Sequence, residues 1–238
     1  EPIVAALGDG LEQHLARRHA DDLAVGVCNE TVGVAAEAGA VSVFYGVLFG
    51  PMGDPDLTLT EPSPAAGRHF GLSLGAGDIN GDGADELVAA QAAGGFYFFS
   101  GSLGGLATSG TYWLLGPPWT MALGDFNGDG FADFAAAGPS AGWTAGEGFV
   151  WAGSAAGLVE PQVAALRQDF MVNDALDGGN EAGDRFGESL LAADLDNDGF
   201  DDLVAGIPGE SEGSLPTEAG AVSVVYGSAG RLTAAGDQ

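Results

Sequence analysis

Nine residues, Asp194-Leu-Asp-Asn-Asp-Gly-Phe-Asp-Asp202, hold five aspartates and lead straight into the apolar run Leu203-Val-Ala-Gly-Ile207. Gly199 forces a turn among them, and a hard cation seeking about six to eight oxygens is satisfied by such a loop. The pattern recurs as Asp78-Ile-Asn-Gly-Asp-Gly-Ala-Asp-Glu86 and as Asp125-Phe-Asn-Gly-Asp-Gly-Phe-Ala-Asp133. Three copies make the loop one part of a repeating unit, so the repeat has to be read before the chemistry.

Aligning the loops exposes that unit. It runs Phe-Gly, a short strand, the Asp loop, a second apolar strand, a variable loop, a Gly-led third strand, then Gly-Ser-x-x-Gly-Leu. The second copy has Phe70-Gly71, the loop Asp78–Glu86, Leu87–Ala90, Gly95–Phe99 and Gly101–Leu106. The third has Trp119, Asp125–Asp133, Phe134–Ala137, a third strand led by Gly148, and Gly153–Leu158. The fourth has Phe186-Gly187, Asp194–Asp202, Leu203–Ile207, Gly220–Val225 and Gly227–Leu232. The first copy is altered at its front. Ala6-Leu-Gly-Asp9 matches Ala122-Leu-Gly-Asp125, but Asp9 and Asp22 stand 13 positions apart where intact loops span 8. The extra residues carry Arg17, Arg18 and His19, poor company for a divalent cation. Fourth strands are expected at Leu57–Thr60, Thr111–Leu115 and Val163–Phe170. Helix-friendly composition is confined to Leu11–Ala20.

Four-stranded units of roughly 60 residues joined by Gly-rich turns are blades of an all-β β-propeller. The blades fall at about 1–67, 68–116, 117–183 and 184–238 in a single domain, because one blade cannot bury both its faces alone. Four blades either close as a small propeller or form part of a larger ring, completed by further sequence or another chain.

At these residues the chain resembles the integrin-type FG-GAP repeats of integrin α-subunit propellers and their bacterial relatives. Phe70-Gly71 and Phe186-Gly187 look like the FG element; Gly206-Ile-Pro208 and Gly138-Pro139 look like the GAP element; the Asp loops look like the calcium loops. The family usually closes with seven blades, and the second loop ends in Glu86 where the pattern has Asp. In each loop, positions 1, 3, 5 and 9 supply side-chain oxygens and position 7 a backbone carbonyl. The sets are Asp78, Asn80, Asp82, Ala84 and Glu86; Asp125, Asn127, Asp129, Phe131 and Asp133; and Asp194, Asp196, Asp198, Phe200 and Asp202. Oxygen-only donors favour Ca2+ over zinc or copper, giving about three sites.

Other chemistries fare worse. An EF-hand needs Glu at position 12 and flanking helices, but position 12 is Ala89, Ala136 or Ala205, each in a β-like run. Gly71-Leu-Ser-Leu-Gly75 matches a nucleophile elbow without its strand–turn–helix setting, so Ser73 reads as a strand residue. His14, His19 and His69 show no metal spacing, and His69 reads as a surface residue. The single Cys28 excludes an intrachain disulfide and reads as a small buried apolar residue. Asn29-Glu-Thr31 is a glycosylation sequon, relevant only in a eukaryotic secretory host.

Charge narrows the partners. The net charge is −28, with six Arg and no Lys, so nothing can neutralise a row of phosphates and nucleic acid is excluded as a partner. An anionic membrane surface would repel the chain, and no apolar run reaches membrane-spanning length. The 46% hydrophobic content is enough for a folded core rather than disorder.

The expectation is a secreted, periplasmic or cell-surface propeller, stabilised by calcium. It is read as a non-catalytic binding, adhesion or scaffold module. Any protein or glycan ligand would sit on the face away from the calcium loops, on the long loops Cys28–Ala38 and Pro208–Ala219 and the connection Asn173–Asp184. Two rivals are a carbohydrate-binding, lectin-like propeller using Trp113, Trp119 or Trp143, and an ancillary region of a larger secreted enzyme.

Overall fold

The computed structural model describes residues 3–7, 22–46, 54–102, 104–113, 120–140, 143–159, 164–166, 183–210, 220–230 and 232. The altered first loop, the helix-friendly stretch, Trp119 and most of the 173–184 and 208–219 segments lie outside them. The described residues form fifteen strands and no helix. The chain divides into two compact units, Glu1–Asp78 with Asp82–Pro118, and Ile79–Gly81 with Trp119–Gln238.

In the first unit, β1 (Ile3–Leu7), β2 (Asp22–Val27), β3 (Ala40–Phe44) and β4 (Leu57–Leu59) make one sheet, and β5 (Leu74–Gly77), β6 (Glu86–Ala90), β7 (Phe96–Phe99) and β8 (Thr111–Trp113) the next. In the second unit, β9 (Thr120–Gly124), β10 (Asp133–Ser140), β11 (Trp143–Trp151) and β12 (Ala164–Leu166) make a sheet, and β13 (Ser189–Ala193), β14 (Asp202–Ile207) and β15 (Ala221–Val225) another. Every pairing is antiparallel between consecutive strands. Each sheet is therefore a meander, the connection short loops favour.

Register places the Asp loops identically. Gly77 pairs with Glu86, Gly124 with Asp133, and Ala193 with Asp202, so the same hairpin closes three times. In the first sheet Leu7 pairs with Asp22. That makes Leu7 the counterpart of Gly124, one place off the alignment of Ala6–Asp9 with Ala122–Asp125. The longer loop leaves the register to the strands themselves.

Each unit buries an apolar core between its two sheets. In the first, Ala24, Val41, Val43 and Leu59 meet Phe70, Leu74, Leu87, Ala89 and Phe99. In the second, Ala122, Ala135, Ala137 and Val150 meet Phe186, Leu203, Ala205, Ile207 and Val225. Phe70 and Phe186 are fully buried, and Phe70 packs edge-on against Tyr97 and Phe99, at centroid distances of 5.5 and 6.1 Å, a favoured aromatic geometry.

These phenylalanines explain the glycine that leads the third strand. A Cβ on Gly39 would stand 2.2 Å from the Phe70 carbonyl oxygen, and one on Gly146 would stand 2.4 Å from that of Phe186. Both glycines also have left-handed φ, +85° and +89°, which only glycine adopts freely. The sequence places this role at Gly148 in the third copy; the structure assigns it to Gly146. The reason is that β10 and β11 run on past Gly138-Pro139, with Ser140 pairing Trp143 after a register shift. Proline has no N–H to give the ladder, so the irregularity falls there, and the expected GAP-type loop is absorbed into a long hairpin.

Candidate metal centre

The three intact loops fold the same way because their first aspartate gathers backbone N–H groups. Asp78 accepts from Asp82 and Gly83 at 3.1 and 2.9 Å. Asp125 accepts from Gly128, Asp129 and Gly130 at 2.7, 3.1 and 2.8 Å. Asp194 accepts from Asp198 and Gly199, both at 3.1 Å. The fifth-position carboxylate then accepts from position seven, at 3.0 Å in each of Asp82–Ala84, Asp129–Phe131 and Asp198–Phe200. Position four is left-handed throughout, with Gly81 and Gly128 at +71° and Asn197 at +62°. Asn is among the few residues that tolerate this conformation.

The ninth position does something the sequence did not reveal. Asp202 is fully buried, and its Oδ1 accepts the Gly227 N–H at 2.9 Å while its Oδ2 accepts that of Leu195 at 2.9 Å. Asp133 accepts from Gly153 at 2.9 Å and Glu86 from Gly101 at 3.2 Å. The same bond joins Asp22 to Gly46 at 2.5 Å. The carboxylate thus braces the end of the third strand onto the loop. The first sheet keeps its brace although its loop has lost the metal-binding spacing. The glycine after each third strand, followed by Ser in the last three sheets, was the available signal.

Three carboxylates converge in the last loop. One ligand oxygen each from Asp194, Asp196 and Asp202 lies within 4.8 Å of the others. Asp194 and Asp196 are exposed and Asp202 is buried. Asp198, facing the Phe200 N–H, stands outside this group. In the third loop Asn127 turns its amide nitrogen toward Asp133, at 3.4 and 3.5 Å. Positions three and nine therefore adjoin there as well, and rotating the amide would present an oxygen instead. The charge is uncomfortable. Asp196 is raised from its ordinary value by lost solvation, then by Asp198, Asp202 and Asp194, against the pull of the Asp198 N–H. Asp201 is raised by burial first and also by the Asp125, Asp194 and Asp202 charges, against the Asp125 N–H. Such an all-oxygen anionic set fits a hard divalent cation, since a carboxylate oxygen that accepts one N–H keeps a second lone pair.

Residues 186–225 match the FG-GAP repeat model, and residues 78–136 match the FG-GAP-like repeat model. The chain carries FG-GAP repeats. No curated protein sequence matches it. FG-GAP repeats build β-propellers and occur in extracellular proteins. The two matched segments hold all three Asp loops between them. The Phe-Gly pair is an anchor in both compact units. Phe70 donates its N–H to Ala38 at 2.8 Å, Gly71 to Ala90 at 2.9 Å, and Gly187 to Gly206 at 3.0 Å.

The remaining candidates sit away from the Asp loops. His69 is half-buried rather than a surface residue. Its Nδ1 lies 3.2 Å from the Cys28 carbonyl oxygen and 3.1 Å from Asn29 Oδ1. Its positive φ of 53° is shared by Arg185 at 59°, so the conformation belongs to the repeat and not to a reaction. Cys28 is partly exposed, which corrects its reading as a buried apolar residue; its strand ends at Val27, leaving it at the mouth of a loop. Ser73 immediately precedes β5 and accepts the Ala90 N–H at 2.9 Å. Trp113 is half-buried against Phe98, 5.2 Å between centroids. Among the described residues, no helix is long and apolar enough to cross a membrane.

Proposed function

We propose that this chain is a calcium-stabilised extracellular β-propeller module, non-catalytic, that presents loops to a protein or glycan ligand. The observation that carries the calcium reading is the convergence of Asp194, Asp196 and Asp202. On this reading Asp78, Asn80, Asp82, the Ala84 carbonyl and Glu86, and Asp125, Asn127, Asp129, the Phe131 carbonyl and Asp133, take the same roles by their positions in the repeat, with Asp198 and the Phe200 carbonyl completing the last set. Bound calcium supplies charge neutralisation to carboxylates that otherwise repel one another.

The ligand reading rests on the other end of the sheets. In the last three sheets the Asp loop and the Gly-Ser turn lie at one end, joined by the ninth-position brace, and the Asp22–Gly46 bond marks the same end of the first. The β2–β3 connection leaves at the opposite end. That connection is braced: Gly67, His69 and Phe70 donate to Ala36, Glu37 and Ala38 at 3.0, 3.0 and 2.8 Å. Its tip, Val34, is fully exposed. A pre-ordered loop with an exposed apolar tip loses little entropy on binding. Exchange of residues 30–37 for an unrelated loop abolishes ligand capture on this reading and leaves calcium binding unchanged. Retained capture after the exchange would contradict it. Four blades closing alone, or joining further repeats, are distinguished by native mass in solution.

A further inference from the structure

Asp201 occupies the eighth position of the last loop, between two expected ligand positions, the Phe200 carbonyl and the Asp202 carboxylate. It faces the preceding loop. The Asp125 N–H donates to Asp201 Oδ2 at 2.8 Å, and the Asp201 N–H donates to the Asp125 carbonyl at 3.0 Å. Asp125 is the first-position residue on which its own loop closes. Its backbone donor and acceptor are both held by one residue of the neighbouring loop. Two further contacts join the loops. The Phe200 ring lies so close to Gly128 that a Cβ there would stand 2.5 Å from it. Ser228 donates to the Phe126 carbonyl at 3.1 Å, next to Gly227, which Asp202 holds.

We propose that Asp201 is a positioning residue that couples the two loops, so that Asp125–Asp133 and Asp194–Asp202 take up divalent cation cooperatively. This rests on the calcium reading. An ion that orders Phe200 and Asp202 also fixes Asp201, and Asp201 fixes the backbone of Asp125. Ordering one loop thereby spares the other part of its ordering entropy, which is positive coupling between sites. Repulsion between the two cations opposes this. It is screened over a Debye length of about 8 Å at 0.15 M salt, whereas the coupling contacts are direct bonds.

The test is a calcium titration of the full chain at 0.15 M salt, with each loop read by its own amide resonance, Gly130 for one and Gly199 for the other. Asp129→Ala weakens the Asp125–Asp133 loop without touching a ligand of Asp194–Asp202. The calcium midpoint at Gly199 should then rise roughly tenfold, within the range typical of coupled sites. In the Asp201→Ala background the same substitution should leave that midpoint unchanged. Asp201→Asn keeps an acceptor oxygen of the same reach and should restore the coupling, which separates lost positioning from general misfolding. A Gly199 midpoint indifferent to Asp129→Ala with Asp201 intact would overturn the inference while leaving calcium binding in place. No calcium response at either glycine would overturn both.

Discussion

The Asp202 carboxylate accepts the Gly227 N–H at 2.9 Å, across 25 residues of chain. Its other oxygen takes the Leu195 N–H, and the side chain still joins Asp194 and Asp196 in the one group of three converging acids among the described residues. One buried residue therefore closes the hairpin and holds the third strand, and it belongs to the acid group that could hold a cation. Asp133, Glu86 and Asp22 repeat the hold on the third strand, through Gly153, Gly101 and Gly46.

Removing Asp202 should consequently hurt even without metal. Asp202→Ala orphans the buried Gly227 N–H, which costs about 1–3 kcal/mol, and the part-buried Leu195 N–H, which water partly satisfies. A loss of about 2–4 kcal/mol is expected in the presence of chelator. For a chain of this size that lowers Tm by roughly 2–4 °C per kcal/mol. Asp198→Ala, at an exposed position, loses the Phe200 N–H bond to an acceptor that water replaces, and should cost mainly the calcium-dependent part. Thermal denaturation of both variants with and without chelator separates the two roles.

A second expectation concerns glycine. Gly39→Ala drives a Cβ to 2.2 Å from the Phe70 carbonyl and needs a left-handed alanine as well. Backbone strain and displaced packing should together cost more than about 3 kcal/mol. Gly33→Ala, also left-handed but with nothing within 4 Å, should cost only about 1–2 kcal/mol. Urea denaturation of the pair measures the difference.

The pH dependence follows from carboxyls held above their ordinary values. Burial raises Glu61 from 4.5, with Arg68 pulling the other way, and Glu61 Oε1 has no hydrogen-bond partner. Asp201 is raised from 3.8 by burial and neighbouring charge. In each case the folded state binds the proton more tightly than the unfolded state. The stability they contribute is complete below those unfolded values and is lost as pH climbs through the raised folded values. Metal-free protein should therefore melt higher as pH falls from neutral toward these values. Glu61→Gln should raise Tm at neutral pH and lose that advantage in acid. A metal-free Tm that falls steadily on mild acidification would contradict this.

Much of the fold was legible because its signals are local. The Asp loops, the Phe-Gly anchors and the alternating apolar strands each lie within about ten residues, where turn chemistry and side-chain period act directly. What was missed depends on distant partners. The brace links Glu86 to Gly101, Asp133 to Gly153 and Asp202 to Gly227, separations of 15, 20 and 25 residues. Gly146 was overlooked in favour of Gly148 because Pro139 reads as the end of a strand, whereas the hairpin absorbs it as an irregularity. His69 looked like a surface residue because its partners, Cys28 and Asn29, arrive from another strand's loop.

Calcium dependence of the fold is tested most directly by the melting temperature of the intact chain with calcium and with chelator. A cation in hundredfold excess over its dissociation constant stabilises by about 2.7 kcal/mol for each loaded loop. A clear rise in Tm with calcium, reversed by chelator and reduced by Asp196→Ala, is the predicted result. Unchanged melting on chelation would contradict the account.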